Sequence, residues 1–382
     1  MKYKIPFGEL RVSDQAKKHV QDCLDSNWCT LGPKTALFEE QWAKLFNYPY
    51  SVAVNSGTSG VIASCIALYD YGAEPGDGVI CPALSFIASA NGIRAASLNP
   101  VFVDINIETL GIDEILIEEA IKNYSGKIVA ILAVNLMGRP VRLDKIKEIA
   151  DKYNLKVIVD NCEAYGSQLN GKFALEYADM EITSHYVAHI VGGTELGTVS
   201  CKTKELAESI KSIRSHGREP DSLYFNHIRY GLNLKPTDLN VSILLGEVDR
   251  FWEIFARRKE ILYQYYNATS EFADKVYFVP ESPGSLNAPH GFSVTLKEKF
   301  ATEQNAQIIK EGFEEADIQY KRNFGSIPHH SAFDYLEKGW TQLFPNAQYV
   351  GNWGWHIGCS QFMSDEDVEY VCNSLRNILS KL

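Results

Sequence analysis

Three short segments carry the side chains that could do chemistry. In VAVNSGTSGVIASCIAL (52–68) an apolar run enters a glycine-containing turn and then a helix beginning near Thr58 or Ser59. Such a turn aims unpaired backbone N–H groups and hydroxyls at one spot, which suits a phosphate, although Ser and Thr also serve simply as helix N-caps. In KVIVDNCEAYGS (156–167) an apolar strand ends on Asp160, and Glu163 follows three residues later. Ligands of open α/β sheets bind beyond the carboxyl ends of the strands, so Asp160 stands where it could pair with a protonated pyridine nitrogen. The same two residues also read as a helix N-cap with its capping-box partner. In ITSHYVAHIVGGTELGTVSC (182–201), Ser184, His185 and His189 precede a glycine-rich stretch and a further strand. Two histidines four residues apart on a helix could share a metal, but no glutamate of the zinc-protease pattern accompanies them, and no metal is expected.

The elements that must position these groups follow from periodicity. Short β-rich runs at 51–54, 78–81, 101–104, 128–134 and 156–160 alternate with helical patterns, which predicts a mostly parallel sheet covered on both faces. Leu143, Ile146, Ile149 and Ala150 recur at helical spacing, as do Leu206, Ile210 and Ile213. After about residue 245 the pattern changes to a long polar helix around FWEIFARRKEILYQYY, then mixed short elements. A last helix carries Val368, Val371, Leu375, Ile378 and Leu382 on one face. The expected division is a large domain, 1–245, and a smaller α+β domain, 246–382.

The bulk numbers set limits. The 382 residues carry a net charge of −11 with no basic block, so the polyelectrolyte attraction behind nucleic-acid binding is missing. No apolar run approaches the roughly 20 residues needed to cross a bilayer, and the start MKYKIPFGELRVSDQ lacks the order of a signal peptide. A cytoplasmic protein without a membrane partner is expected. The eight cysteines are scattered without a Cys-x-x-Cys pair, which argues for free thiols.

Taken together, the segments resemble the DegT/DnrJ/EryC1/StrS family of pyridoxal-phosphate enzymes, which mostly aminate keto sugars attached to nucleotides. The resemblance begins at SNWCTLGPKTALFEEQWAKLF (26–46), runs through NSGTSG, CPALSF, AVNLMGRP and DNCEAYGS, and reaches SDEDVEYVCNSLRNIL. It implies an aspartate-aminotransferase-like fold (fold type I), with Gly57, Thr58 and Ser184 on the cofactor phosphate, Phe86 stacked on the pyridine ring and Asp160 on its nitrogen. It also implies a homodimer in which Asn233, in YGLNLKP, completes the partner's phosphate site.

One departure stands out: five residues after Ser184, where the aminotransferases have lysine, this chain has His189. Lysine serves there because its amine bonds to the cofactor aldehyde and later displaces the product amine, and imidazole does neither. A small subfamily similar to GDP-4-keto-6-deoxy-D-mannose 3-dehydratase has histidine at this place and DNCE around the residue matched by Glu163. That resemblance implies non-covalent pyridoxal or pyridoxamine phosphate, L-glutamate as amino donor and a nucleotide-linked 4-keto-6-deoxy sugar as substrate, in deoxysugar (O-antigen) biosynthesis. His189, with an ordinary pKa near ~6.5, would act as acid and base while the C3 hydroxyl is lost. The competing expectations are an aminotransferase that manages without this lysine and a non-catalytic binder of cofactor or nucleotide sugar. A related dehydratase type uses a cluster held by four cysteines, and the stretch SHGREPDSLYFNHIRYGLNLKP has none. Further departures are the altered glycine stretch 192–197, Asn135 in AVNLMGRP and the loose match of YKRNFGSIPHHSAF to the family's substrate loop.

Overall fold

The computed structural model describes residues 3–219, 223, 225–334 and 343–382. Its centre is a seven-stranded sheet built from Tyr50–Val54 (β1), Gly78–Pro82 (β2), Asn99–Val103 (β3), Ile128–Val134 (β4), Lys156–Asp160 (β5), Met180–Ser184 (β8) and Gly197–Cys201 (β9). Between β5 and β8 lie two short strands, Gln168–Leu169 (β6) and Lys172–Phe173 (β7), which pair with the later Ser285–Leu286 (β11) in a minor sheet. The order across the large sheet is β1-β9-β8-β5-β4-β2-β3, and only β9 runs antiparallel to its neighbours. The mostly parallel sheet expected from the alternating runs is therefore present. Its strands are apolar on both faces because helices cover both, as in β2 and β4, whose Ile80, Ile131 and Leu132 are wholly buried.

Pairing aligns the chemistry-bearing ends. Ser184 on β8 faces Gly197 on β9, Gly197 faces Val54 on β1, Asp160 on β5 faces Ile182, and Val134 on β4 faces Asp160. One edge of the sheet thus collects the carboxyl ends of β1, β4, β5 and β8. The expected helices are also present, at Leu143–Tyr153 and Lys204–Arg214.

A second sheet of Val276–Phe278 (β10), Gly291–Leu296 (β12), Tyr320–Arg322 (β13) and Gly354–Gly358 (β14) has the order β10-β12-β14-β13 and is antiparallel throughout. The helices Phe251–Thr269 and Asp365–Ser380 share its core, which includes Ile261, Tyr265, Phe292, Val368 and Leu375. Ile5 belongs to this core as well, bridging to Ile318, so the start of the chain packs with the C-terminal sheet. The helix read from sequence as polar is amphipathic: Phe251, Ile254, Phe255, Arg258 and Ile261 lie on its buried face.

Arg258 ties the two parts together. It is 2% exposed, and its guanidinium donates to the carbonyls of Pro289 (3.0 Å) and His290 (3.1 Å) on one side and of Ala188 (2.9 Å) and His189 (3.1 Å) on the other. A second buried tie holds the start of the helix Pro33–Leu45. The Asp238 carboxylate accepts from the N–H groups of Gly32, Lys34 and Thr35 at 3.0 Å and from the Thr35 hydroxyl at 2.6 Å.

Candidate active site

At the carboxyl edge of the large sheet, where the second sheet closes over it, lies a cavity of about 550 Å³. Of the residues singled out from sequence, Gly57, Thr58, Phe86, Asp160, Glu163, Ser184 and His189 all line it. Asn233 does not. It lies on the exposed surface, where its backbone bridges to Ser215.

The phosphate turn is a helix N-terminus. Ser56 caps the helix Gly57–Ala67 by accepting the Ser59 N–H at 3.1 Å, so helix and cap begin slightly earlier than the sequence reading placed them. The amides of Gly57 and Thr58 belong to the first turn, whose N–H groups the helix itself cannot pair. A Cβ on residue 57 would stand 2.8 Å from Ser184 Cβ and 2.9 Å from Cys162 Sγ, so only glycine keeps this cradle open. Gly197 is equally constrained, since a Cβ there would meet the Ser56 carbonyl at 2.5 Å. These approaches press β9, Ser184 and the turn into one anion-sized pocket beside the positive end of the helix.

Asp160 ends β5 with both carboxylate oxygens braced, one by the Cys162 N–H (3.2 Å) and the other by the Ser89 hydroxyl (2.8 Å). The capping-box alternative for Asp160 and Glu163 is overturned: residues 162–166 form turns, no helix starts there, and Glu163 points back to accept the Met137 N–H at 2.8 Å. The buried carboxyl group of Glu163 is pushed up to about 7 by loss of water, with Asp160 adding to the rise and the Met137 N–H and Lys321 opposing it.

The chain from Ser184 to Gly197 is a loop rather than a helix, pinned by His185 N–H to Leu196 O (2.9 Å) and Gly193 N–H to His185 O (2.9 Å). The two histidines therefore do not share a face. His185 is a core residue in an aromatic box with Trp42 (4.7 Å) and Phe38 (5.5 Å), and among the described residues no group of His, Cys, Asp or Glu is placed to hold a metal ion. His189 faces the cavity, and its Nδ1 is buried without a protein partner. Burial, helped by His185, Arg258 and Lys321, holds its pKa down at about 3, well below the ordinary value expected from sequence. The ring is therefore neutral near pH 7 and lines the cavity half-buried.

Sequence reasoning missed the wall supplied by the second sheet: His290, Lys321, Phe324 and His356, with Phe7 from the start of the chain. Lys321 on β13 faces His356 on β14, and its ammonium lies 4.3 Å from the Phe7 ring centre. Partial withdrawal from water lowers its pKa, with Glu163 opposing the change. Phe86, 58% exposed, meets Phe324 edge to face at 6.0 Å. Lys321 and Phe324 fall in YKRNFGSIPHHSAF, matched only loosely to the family's substrate loop, and no local pattern marks His290 or His356; the folding-over of β12, β13 and β14 brings them in. Asn135, noted as a departure, lines the cavity and is braced from behind: its amide donates to Asn161 (2.9 Å), which in turn donates to Glu181 (2.7 Å).

An anion cradle at a helix N-terminus, a braced aspartate at the same edge of the sheet and an aromatic ring at the mouth fit a phosphorylated pyridine cofactor. These features define the chain as a member of the fold type I class. The model of the DegT/DnrJ/EryC1/StrS aminotransferase family matches residues 11–376, and the chain belongs to that family. It is 28% identical over 381 residues to GDP-perosamine synthase of Escherichia coli O157:H7, covering all of both chains. It is also 28% identical over 398 residues to GDP-4-keto-6-deoxy-D-mannose 3-dehydratase of Yersinia pseudotuberculosis, covering 97% of this chain and 98% of that one. The solved structure of the E. coli GDP-4-keto-6-deoxy-D-mannose-3-dehydratase with bound hydrated PLP superposes with a TM-score of 0.87 at 24% identity, over 99% of this chain and 100% of that one.

Proposed function

We propose that this chain is a pyridoxamine-phosphate-dependent 3-dehydratase of a nucleotide-linked 4-keto-6-deoxy sugar, recharged by L-glutamate. The observation that carries the reading is His189, which lines the cavity where the sugar aminotransferases have lysine. The division of labour follows the two parts: 1–245 would hold the cofactor, and 246–382 would close over it with His290, Lys321 and His356.

When bound, the cofactor supplies an amine for the sugar ketone and a ring that draws electrons from the reacting carbons. The first-turn amides of Gly57 and Thr58 and the Ser184 hydroxyl would hold its phosphate, Asp160 would keep a proton on the ring nitrogen, and Phe86 would cover one face. Glu163, poised near neutrality, can hold or release a proton beside the ring. His189, half-buried on the cavity wall, would move a proton between the reacting carbon and the departing C3 hydroxyl. The net change replaces the C3 hydroxyl by hydrogen and converts L-glutamate to 2-oxoglutarate and ammonia.

We further propose that the protein is cytoplasmic and works as a homodimer with Asn233 reaching the partner's phosphate site. Leu223 and Phe225, 94% and 82% exposed, lie on the same surface stretch and would be covered in such a pair. No described helix is long and apolar enough to cross a membrane.

One observation favours a second reading, an aminotransferase: Lys321 supplies to the cavity an amine that the β8–β9 loop lacks. The deciding experiment adds pyridoxal phosphate to the wild-type protein, reduces with borohydride and maps any labelled lysine, while a parallel sample receives L-glutamate and a GDP-linked 4-keto-6-deoxy sugar. An unlabelled protein that releases ammonia and a 3-deoxy sugar supports the dehydratase. A label on Lys321 with an amino sugar as product supports the aminotransferase.

A further inference from the structure

The cavity wall from the C-terminal part holds a histidine that the acid–base chemistry above leaves unused. His290, 4% exposed, lies between the two groups that chemistry employs. Its Nε2 is 3.4 Å from Glu163 Oε1, and its ring centre is 5.3 Å from that of His189, tilted by 37°. Phe7 meets it edge-on at 6.2 Å. Its backbone is fixed as well: its N–H donates to the Ala288 carbonyl at 3.0 Å, and its own carbonyl accepts from the Arg258 guanidinium that also holds Ala188 and His189. The two histidines, distant in sequence, are held as a pair.

We propose that His290 is a positioning residue of the acid–base site, sharing one proton with Glu163 and passing that carboxyl group's charge state to His189 through a change of tautomer. The proposal rests on the reading of His189 as the acid and base. Glu163 Oε2 is occupied by the Met137 N–H, so Oε1 is the oxygen turned to His290. A neutral imidazole beside a carboxyl oxygen admits one proton between them. When Glu163 is ionised, His290 donates from Nε2. When Glu163 is protonated it donates instead, and the imidazole hydrogen must sit on Nδ1.

The surroundings keep His290 neutral while this happens. His189 on the β8–β9 loop, His356 on β14, Arg258 on the long helix and Lys321 on β13 all disfavour a charge there, on top of burial. Glu163, facing Asp160, Lys321 and the Met137 N–H, is the member that titrates, close to neutrality. The imidazole answers by moving its hydrogen, and the ring dipole that His189 meets reverses with it.

The test is ¹⁵N-histidine NMR of the cofactor-free protein from pH 5 to pH 9, which reads tautomers directly. The expected result is a tautomer change of His290 with a midpoint near the Glu163 value of about 7, and a shift of His189 with the same midpoint. Glu163→Gln should remove both, and His290→Phe should remove the His189 response. Should the phenylalanine variant fail to fold, His290→Gln carries the test, since its amide still reaches Glu163 but has no tautomer to change. A His189 response that survives either replacement, or a His290 tautomer constant over the range, overturns the proposal. Neither cofactor nor sugar is needed, so a constant His290 beside intact dehydration overturns this proposal alone. A responsive His290 in a protein that never dehydrates a keto sugar overturns the reading of function instead.

Discussion

Replacing Glu163 by glutamine should make the cofactor-free protein more stable at pH 8 than the parent and leave it nearly matched at pH 4. The fold raises the Glu163 pKa from the ordinary 4.5 to about 7, so it prefers the protonated acid. A raised pKa gives stability that is fully present below the unfolded value and is lost as the pH climbs through the folded one. Between pH 5 and pH 8 the parent should therefore lose about 2.5 kcal/mol from this group alone, as an order of magnitude. Glutamine keeps the shape and does not ionise. Its oxygen can accept the Met137 N–H, and its amide can face the His290 ring in place of the acid. Urea unfolding of both proteins at pH 4, 5 and 8 provides the measurement, read as the difference between variants at each pH. A difference that stays constant across that range would show that Glu163 titrates alike in the folded and unfolded states, and the argument for a raised pKa would collapse.

Four further outcomes are expected. His189→Asn should keep the cofactor but abolish dehydration, since an amide cannot move the proton, and unchanged turnover would sink the assignment; His189→Lys should yield a borohydride-trappable bond to pyridoxal phosphate at residue 189. Asp160→Ala should lower cofactor affinity, measured by equilibrium dialysis, and activity together, and wild-type behaviour would mean that the ring lies elsewhere. Asp238→Ala should cost about 3 kcal/mol in urea unfolding, because four donors at the start of the Pro33–Leu45 helix lose a buried carboxylate.

The large sheet was legible because its strands are apolar runs bounded by polar turns, and 128–134 and 156–160 match β4 and β5 residue for residue. Gly57 and Asp160, on that sheet's carboxyl edge, were legible for the same reason, since each follows or ends such a run; Ser184 ends β8, a strand the apolar pattern did not mark, and its part in the site came only from the resemblance. Two readings failed where local pattern and tertiary packing disagree. Asp160 and Glu163 have the spacing of a capping box, but Glu163 is drawn to the Met137 N–H, and no helix forms. The helix around FWEIFARRKEILYQYY reads as polar, yet Arg258 within it is among the most deeply buried side chains, because four backbone carbonyls converge on it. His290 and His356 were invisible, and Lys321 was seen only within a loosely matched segment, for a different reason. Their places depend on how the second sheet closes over the first, and nothing in their own neighbourhoods of sequence encodes that.

The Arg258 clamp has a bearing on how such a site can change over time. Because it grips the backbone at Ala188, His189, Pro289 and His290, it is indifferent to what the side chains of those residues are. The frame that sets the reacting distances is thereby separated from the groups that react. On the proposed reading, a single codon change at position 189 would exchange an amine for an imidazole while the clamp on the walls stayed in place, and one scaffold would pass between adding nitrogen to a sugar and removing oxygen from it.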